Sequence, residues 1–255
     1  MTTRTFFVGG NHKCNGNKAS IKALVSELNK VESKSNVEII IAPPSIYLDY
    51  TQSLVDSGKI QLSAQNCYSE TKGAFTGEIA AEMVKDLNIN WVIIGHSERR
   101  SIFGESGELL AKKTKHAIDI GLKVIFCIGE QLADRQSSKT EAVLSAQLGD
   151  LKSLDKKQWD SIVIAYEPVW AIGTGVTATP DQAQDTHKYV RSWLKDNIDE
   201  TVAAKTSIMY GGSVGAANCN ALAEKPDVDG FLVGGASLIA TDFSTIIKSA
   251  SPKTI

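Results

Sequence analysis

Eight short runs rich in Val, Ile, Leu and aromatic residues constrain this chain more than any other feature. They fall at 5–8, 37–42, 60–64, 91–94, 123–128, 162–165, 207–210 and 229–233. In most of these runs the apolar residues follow one another and do not alternate with polar ones; 60–64, Ile-Gln-Leu-Ser-Ala, is the exception. Strands of that kind are buried on both faces, as in a parallel sheet covered by helices. The segments between them supply the helices. Ile21, Leu24, Val25 and Leu28 make one apolar stripe within 18–31, the spacing of an amphipathic helix. Further helices are expected over 45–56, 77–88, 105–120, within 139–154, over 180–197, and in a last segment ending near Ser249. Eight βα units in 255 residues predict one closed (β/α)8 barrel over 1–255, because such barrels take roughly 250 residues. The rival, an open doubly wound sheet, would want Gly-x-Gly-x-x-Gly after its first strand and an acid at the end of its second. Here the first run is expected to stop at Gly9-Gly10-Asn11, and the second at Pro43-Pro44.

Composition narrows the partners. A net charge of −2, with 22% charged residues, gives no broad basic field for nucleic acid. No apolar run approaches the roughly 20 residues that span a membrane. The start, Met1-Thr2-Thr3-Arg4, lacks the apolar stretch of a secretory signal, so a cytoplasmic location is expected. Cys14, Cys67, Cys127 and Cys219 are far apart, with no Cys-x-x-Cys. That spacing argues against a zinc site or a disulfide framework and for buried, reduced thiols.

The chemistry concentrates in Ala165-Tyr166-Glu167-Pro168-Val169-Trp170-Ala171-Ile172-Gly173-Thr174-Gly175. A carboxylate ends a buried strand, and Pro168 stops that strand because it has no N–H and a fixed φ. The glycine-bearing tip reads as a lid able to offer backbone N–H groups to an anion. Thr179-Pro180-Asp181 then reads as a helix start, with Thr179 as N-cap. In a barrel, residues just past each strand share one mouth. Those positions hold Asn11, Lys13, Gln65, His96, Ser97, Glu130, Glu167, Ser213, Gly234 and Gly235. Taken singly, a lysine is usually solvated, a histidine usually structural and a Gly-Gly pair usually a turn. Yet the turns at Gly211-Gly212-Ser213 and Gly234-Gly235 follow the seventh and eighth runs, where barrels commonly bind phosphate.

Four strings carry a resemblance over essentially the whole chain: Asn11-His12-Lys13-Cys14-Asn15-Gly16, Ile94-Gly95-His96-Ser97-Glu98-Arg99-Arg100, the Glu167 segment, and the two glycine turns. In order and spacing they are similar to the triosephosphate isomerase family. The resemblance implies a single TIM barrel that interconverts dihydroxyacetone phosphate and D-glyceraldehyde 3-phosphate through an enediolate, with no cofactor and no metal. It implies that Glu167 moves the proton, while closure of the lid over Ile172 dries the site. His96, neutral and followed by a short helix near Ser97, would donate to the carbonyl oxygen. Lys13 would place positive charge beside that oxygen and the phosphate, and Asn11 would hold both. Gly173, Ser213, Gly234 and Gly235 would bind the phosphate through backbone N–H groups. Arg191 and Asp229 would form a structural ion pair.

The long loop over 66–76 is unexplained by the barrel alone, and the resemblance assigns it to a homodimer. Across 66–78, from Asn66 to Glu78, it would enter a second subunit. Thr76 would reach the partner subunit's Asn11, Glu78 would pair with the partner subunit's Arg99, and Cys14 would lie under the partner's loop. Two positions depart from the family pattern: His12, where a large aromatic is usual, expected to point away from the mouth, and Val176, in the lid's far hinge. Two rival functions remain at this stage. One is a Schiff-base aldolase using Lys13, which the Glu167 lid segment argues against. The other is a scaffold that has lost its chemistry, which the presence of Lys13, His96 and Glu167 together argues against.

Overall fold

The computed structural model describes residues 3–173 and 177–254. The eight runs form strands β1 (Phe6–Asn11), β2 (Val37–Ala42), β3 (Ile60–Ala64), β4 (Trp91–Ile94), β5 (Lys123–Ile128), β6 (Ile162–Tyr166), β7 (Ile208–Tyr210) and β8 (Gly230–Val233). They pair in parallel and in chain order. The ring closes where β1 meets β8, from Phe7 opposite Gly230 to Gly10 opposite Val233. A short antiparallel pair, Thr3–Arg4 with Lys253–Thr254, joins the two ends of the described chain.

The unbroken apolar runs fill two cores. Phe7, Ile40, Trp91, Ile93, Ile125, Cys127, Val163, Ala165, Met209 and Leu232 pack together inside the barrel. Their strand neighbours, such as Val124, Phe126, Ile162 and Ile164, pack outward under the helices. Side chains alternate with period two along a strand. The inward series Val163, Ala165 therefore delivers Glu167 to the barrel's carboxyl mouth, and Phe7 and Gly9 deliver Asn11 in the same way.

Several elements differ from the sequence expectation, each for a local reason. Strand β1 does not stop at Gly9-Gly10 but runs through them to Asn11. Those glycines make room: a Cβ on Gly9 would lie 3.0 Å from Met209 Cε, and one on Gly10 would lie 2.9 Å from Ser237 Cβ. The helix expected over 45–56 is a 3-10 turn, Ser45–Tyr47, followed by a short α-helix, Leu48–Gln52. Beyond it the Asn29 side chain accepts from the Asp56 N–H and donates to the Leu54 carbonyl. The helix expected over 77–88 covers only Ala81–Asp86. Gly77 is in the left-handed region at φ 98, and Ile79 is drawn into the preceding loop by the Tyr68 N–H, 2.8 Å from its carbonyl.

The remaining long helices are Lys18–Leu28, Gly107–Asp119, Thr140–Gly149, Pro180–Asn197 and Ala240–Ser249. Thr179 caps its helix as expected, with Thr179 Oγ1 accepting from the Gln182 N–H at 3.1 Å. Short helices at Leu132–Gln136, Glu200–Lys205 and Cys219–Ala223 were not expected. Of the four thiols, Cys67, Cys127 and Cys219 are buried, while Cys14 is exposed in the single chain. The expectation of buried thiols fails there because Cys14 lies in the loop after β1. No described helix is long and apolar enough to cross a membrane.

Candidate active site

Glu167 is 2% exposed and its backbone is fixed first: its N–H donates to the Ile128 carbonyl at 2.7 Å. Its carboxylate has two partners. Oε1 lies 2.9 Å from His96 Nε2, and Oε2 accepts from the Ser97 N–H at 2.9 Å. The short helix expected near Ser97 is present, Ser97–Ser101, and His96, which follows β4, caps it with Nδ1 accepting from the Glu98 N–H at 3.2 Å. An Nδ1 that accepts leaves Nε2 to carry the proton that faces Glu167. Burial, the largest influence, lowers the His96 pKa; the Glu167 carboxylate opposes it, and the net direction in this arrangement is upward.

Lys13 holds an uncommon backbone conformation for a side-chain-bearing residue, φ 50, and two contacts fix it, one of them from an anchored glutamine. Asn11 Oδ1 accepts from the Lys13 N–H at 3.0 Å, Gln65 Nε2 donates to the Lys13 carbonyl at 2.8 Å, and the same Nε2 reaches the Ala42 carbonyl. The Lys13 ammonium lies 2.7 Å from Glu98 Oε1. A Cβ placed on Gly234 would stand 3.7 Å from Lys13 Cε, so the lysine runs from the His96 end of the site towards the turn after β8. Gly235 opens a 3-10 turn there, Gly235–Leu238.

Asn11, Lys13, His96 and Glu167 thus form one connected group with Gly234 beside it. Gly173, at φ 68, and Ser213 are exposed at the rim. Among the described residues no hydrogen bond or ion pair joins either of them to that group. The lid residues Thr174, Gly175 and Val176 lie outside the described residues.

Two residues matter more than sequence reasoning indicated. Glu98 holds Lys13 Nζ and lies 3.6 Å from His96 Nδ1; its position two residues after His96, in the first turn of a helix, was the available signal. Glu130, fully buried, holds the segment that follows β6. Its Oε1 accepts from Trp170 Nε1 at 2.9 Å, Tyr166 OH at 3.1 Å and Arg135 Nη1 at 3.2 Å. Its carbonyl takes the Val169 N–H.

His12, which departs from the usual aromatic, is buried with Nε2 unpaired among the described residues, and burial lowers its pKa to about 4. No group of three or more His, Cys, Asp or Glu able to hold a metal occurs among the described residues.

A closed parallel barrel whose mouth brings a buried carboxylate against an imidazole, with a lysine close by, defines a barrel enzyme of the acid–base class. Comparison with known proteins narrows this. A family model for triosephosphate isomerase matches residues 6–250. The triosephosphate isomerase of Dictyostelium discoideum is 60% identical over 252 residues, covering 98% of each chain. That of Taenia solium is 53% identical over 249 residues, covering 97% of this chain and 99% of the relative. The chain belongs to the triosephosphate isomerase family.

Proposed function

We propose that the chain interconverts dihydroxyacetone phosphate and D-glyceraldehyde 3-phosphate, with Glu167 as the base. The observation that carries this is the Glu167–His96 contact at 2.9 Å inside the barrel mouth, with Lys13 fixed beside it. As it stands, Glu167 is held on the Ser97 N–H and His96. Substrate entering between them takes over the His96 Nε2 proton through its carbonyl oxygen. Glu167 then turns to the adjacent carbon, removes a proton and returns it to the neighbouring carbon, while the hydroxyl proton passes from one substrate oxygen to the other beside His96 Nε2.

Removal of the Glu167 charge from His96 takes away the main influence opposing burial, which favours the neutral imidazole, so His96 acts as a neutral donor to the developing oxyanion. The Lys13 ammonium balances enediolate and phosphate charge. Asn11 keeps the Lys13 backbone in place, and Gly173, Ser213, Gly234 and Gly235 present N–H groups to the phosphate. Closure of the lid excludes water and hinders loss of phosphate from the enediolate.

The same reading includes a homodimer. Phe103, Ile102, Ile46 and Met83 are 62%, 71%, 81% and 55% exposed, and large exposed apolar groups favour a protein interface. A cavity of about 320 Å3 lined by Lys13, Cys14, Gln65, His96 and Phe103 suits the partner's 66–78 loop. Within one chain Arg99 Nε already holds Glu105 Oε1 at 2.7 Å, so the partner subunit's Glu78 would share a guanidinium that is already oriented. The four unpaired thiols agree with a cytoplasmic location.

Isomerase assay with glyceraldehyde 3-phosphate, no metal added, beside Glu167→Asp tests the chemistry. Drawing the carboxylate back by a methylene is expected to lower kcat about a hundredfold with little change in KM. An unimpaired Glu167→Asp removes Glu167 from the base role, and an inactive, folded wild type removes the activity. Sedimentation at assay concentration is expected to give twice the chain mass; a monomer refutes the dimer.

A further inference from the structure

We propose that Gln147 is a positioning residue for the reaction, acting on Glu167 through Gly129; this rests on Glu167 being the base. Gln147 lies on the helix Thr140–Gly149, outside the barrel mouth. Its side-chain amide closes both backbone groups of Gly129, the residue after β5. The Gly129 N–H donates to Gln147 Oε1 at 2.8 Å, and Gln147 Nε2 donates to the Gly129 carbonyl at 3.1 Å. On its other side Gly129 meets the backbone of Glu167 without a gap. A Cβ on Gly129 would fall 1.8 Å from the Glu167 carbonyl oxygen and 3.2 Å from Glu167 Cβ. Residue 129 is therefore pressed between a helix-borne amide and the backbone that carries the base.

The need for this clamp comes from what lies behind it. A cavity of about 220 Å3 is lined by Glu167, Ser97, Arg100, Gln131, Gln147 and Val169. Close-packed neighbours hold most strand ends, but here part of the wall is empty space. The Glu167 side chain must also change partners, from the Ser97 N–H to substrate, while its backbone serves as a pivot. With the amide gone, Gly129 has room to shift and nothing polar to hold it, and the pivot moves with it. The effect is confined to where the carboxylate reaches. The phosphate end, around Gly234 and Lys13, is attached to β8 and β1 and is unaffected.

Two variants test this in the intact chain. Gln147→Met keeps the length and removes both hydrogen bonds. It is expected to lower kcat about tenfold, because sub-ångström misplacement of a base is costly, while KM stays within about twofold of wild type. Gln147→Glu supplies an internal rescue. Its protonated carboxyl can both accept from the Gly129 N–H and donate to the Gly129 carbonyl, whereas its ionised form cannot donate. Its kcat relative to wild type is therefore expected to fall as pH rises through that carboxyl's titration, with circular dichroism unchanged. A merely structural glutamine would not produce that profile.

A Gln147→Met enzyme with wild-type kcat, or a loss carried by KM, overturns the proposal. So does a Gln147→Glu enzyme whose kcat follows wild type across pH, which decides the matter if Gln147→Met does not fold. Glu167→Gln run alongside separates the two ideas. If it keeps wild-type kcat, the base assignment falls and takes the clamp with it. If it is inactive while both Gln147 variants match wild type, the clamp alone falls.

Discussion

Two buried carboxylates, at opposite ends of the barrel, are held in opposite ways. Asp229 precedes β8 and is 1% exposed. It has two permanent cations, Arg4 Nε at 2.7 Å and Arg191 Nη2 at 2.6 Å, together with the Ile208 N–H at 3.1 Å. Each arginine is anchored elsewhere as well, Arg4 on the Pro226 carbonyl and Arg191 on Asp227 and the Ala203 carbonyl. Glu167 follows β6 and is as deeply buried, yet among the described residues its carboxylate meets no arginine fork; it is held by the Ser97 N–H and by His96, which can change charge. A carboxylate meant to stay has guanidinium forks that never lose their proton. The base proposed here has partners that substrate could replace. The resemblance implied an Arg191–Asp229 pair; Arg4 and Asp227 extend it into a network that ties the start of the described chain to β8.

Substitution should separate the two ends sharply. Glu167→Gln is expected to lower kcat by about a thousandfold or more with the denaturation midpoint little changed. Asp229→Ala is expected to cost about 3–5 kcal/mol, since it leaves Arg4 and Arg191 facing a buried gap, while the folded fraction keeps its kcat. A large loss of stability in Glu167→Gln, measured by urea unfolding, would break the contrast.

The next effect is a pH dependence. Burial lowers the pKa of His12 and of His187 to about 4. Between the ordinary histidine value of about 6.5 and that value, the unfolded chain binds protons that the folded chain refuses. Stability is therefore expected to fall as pH drops from about 6.5 to 4, by about 3 kcal/mol for each histidine. Unfolding midpoints across that range test the sign, and His12→Asn should flatten the slope.

The smallest effect concerns Glu130, the intermediate case: fully buried, with two neutral donors and one partly exposed arginine. Glu130→Gln keeps the acceptor for Trp170 and is expected to change stability by about 1 kcal/mol and kcat by a few-fold, read by denaturation and steady-state assay.

The barrel was legible because most strands carry their own evidence: runs of successive apolar residues need both faces covered. The residues at the strand ends were legible for a related reason: strand order and period two place Asn11 and Glu167 at one mouth, and strand order places His96 there, although it has the opposite parity to Trp91 and Ile93. What escaped the sequence was whatever depends on contact between distant segments. Gly9-Gly10 looks like a stop until Met209 and Phe243 are seen to occupy the missing side-chain volume. Gln147 is an ordinary helix residue until its amide is found on Gly129, and Glu130 has no visible role until Trp170 reaches it. Helices of five or six residues, such as Leu132–Gln136, are too short to show a period.

Closure of the ring between β1 and β8 also sets a timetable for synthesis. Phe7 pairs with Gly230, so the first strand emerges long before its second neighbour exists. At about 5–20 residues per second the ribosome takes roughly 10–45 s to cover that interval. Throughout it, Phe6–Asn11 has one unfilled edge and apolar groups on both faces. Completion of the barrel has to wait for the seam between its first and last strands.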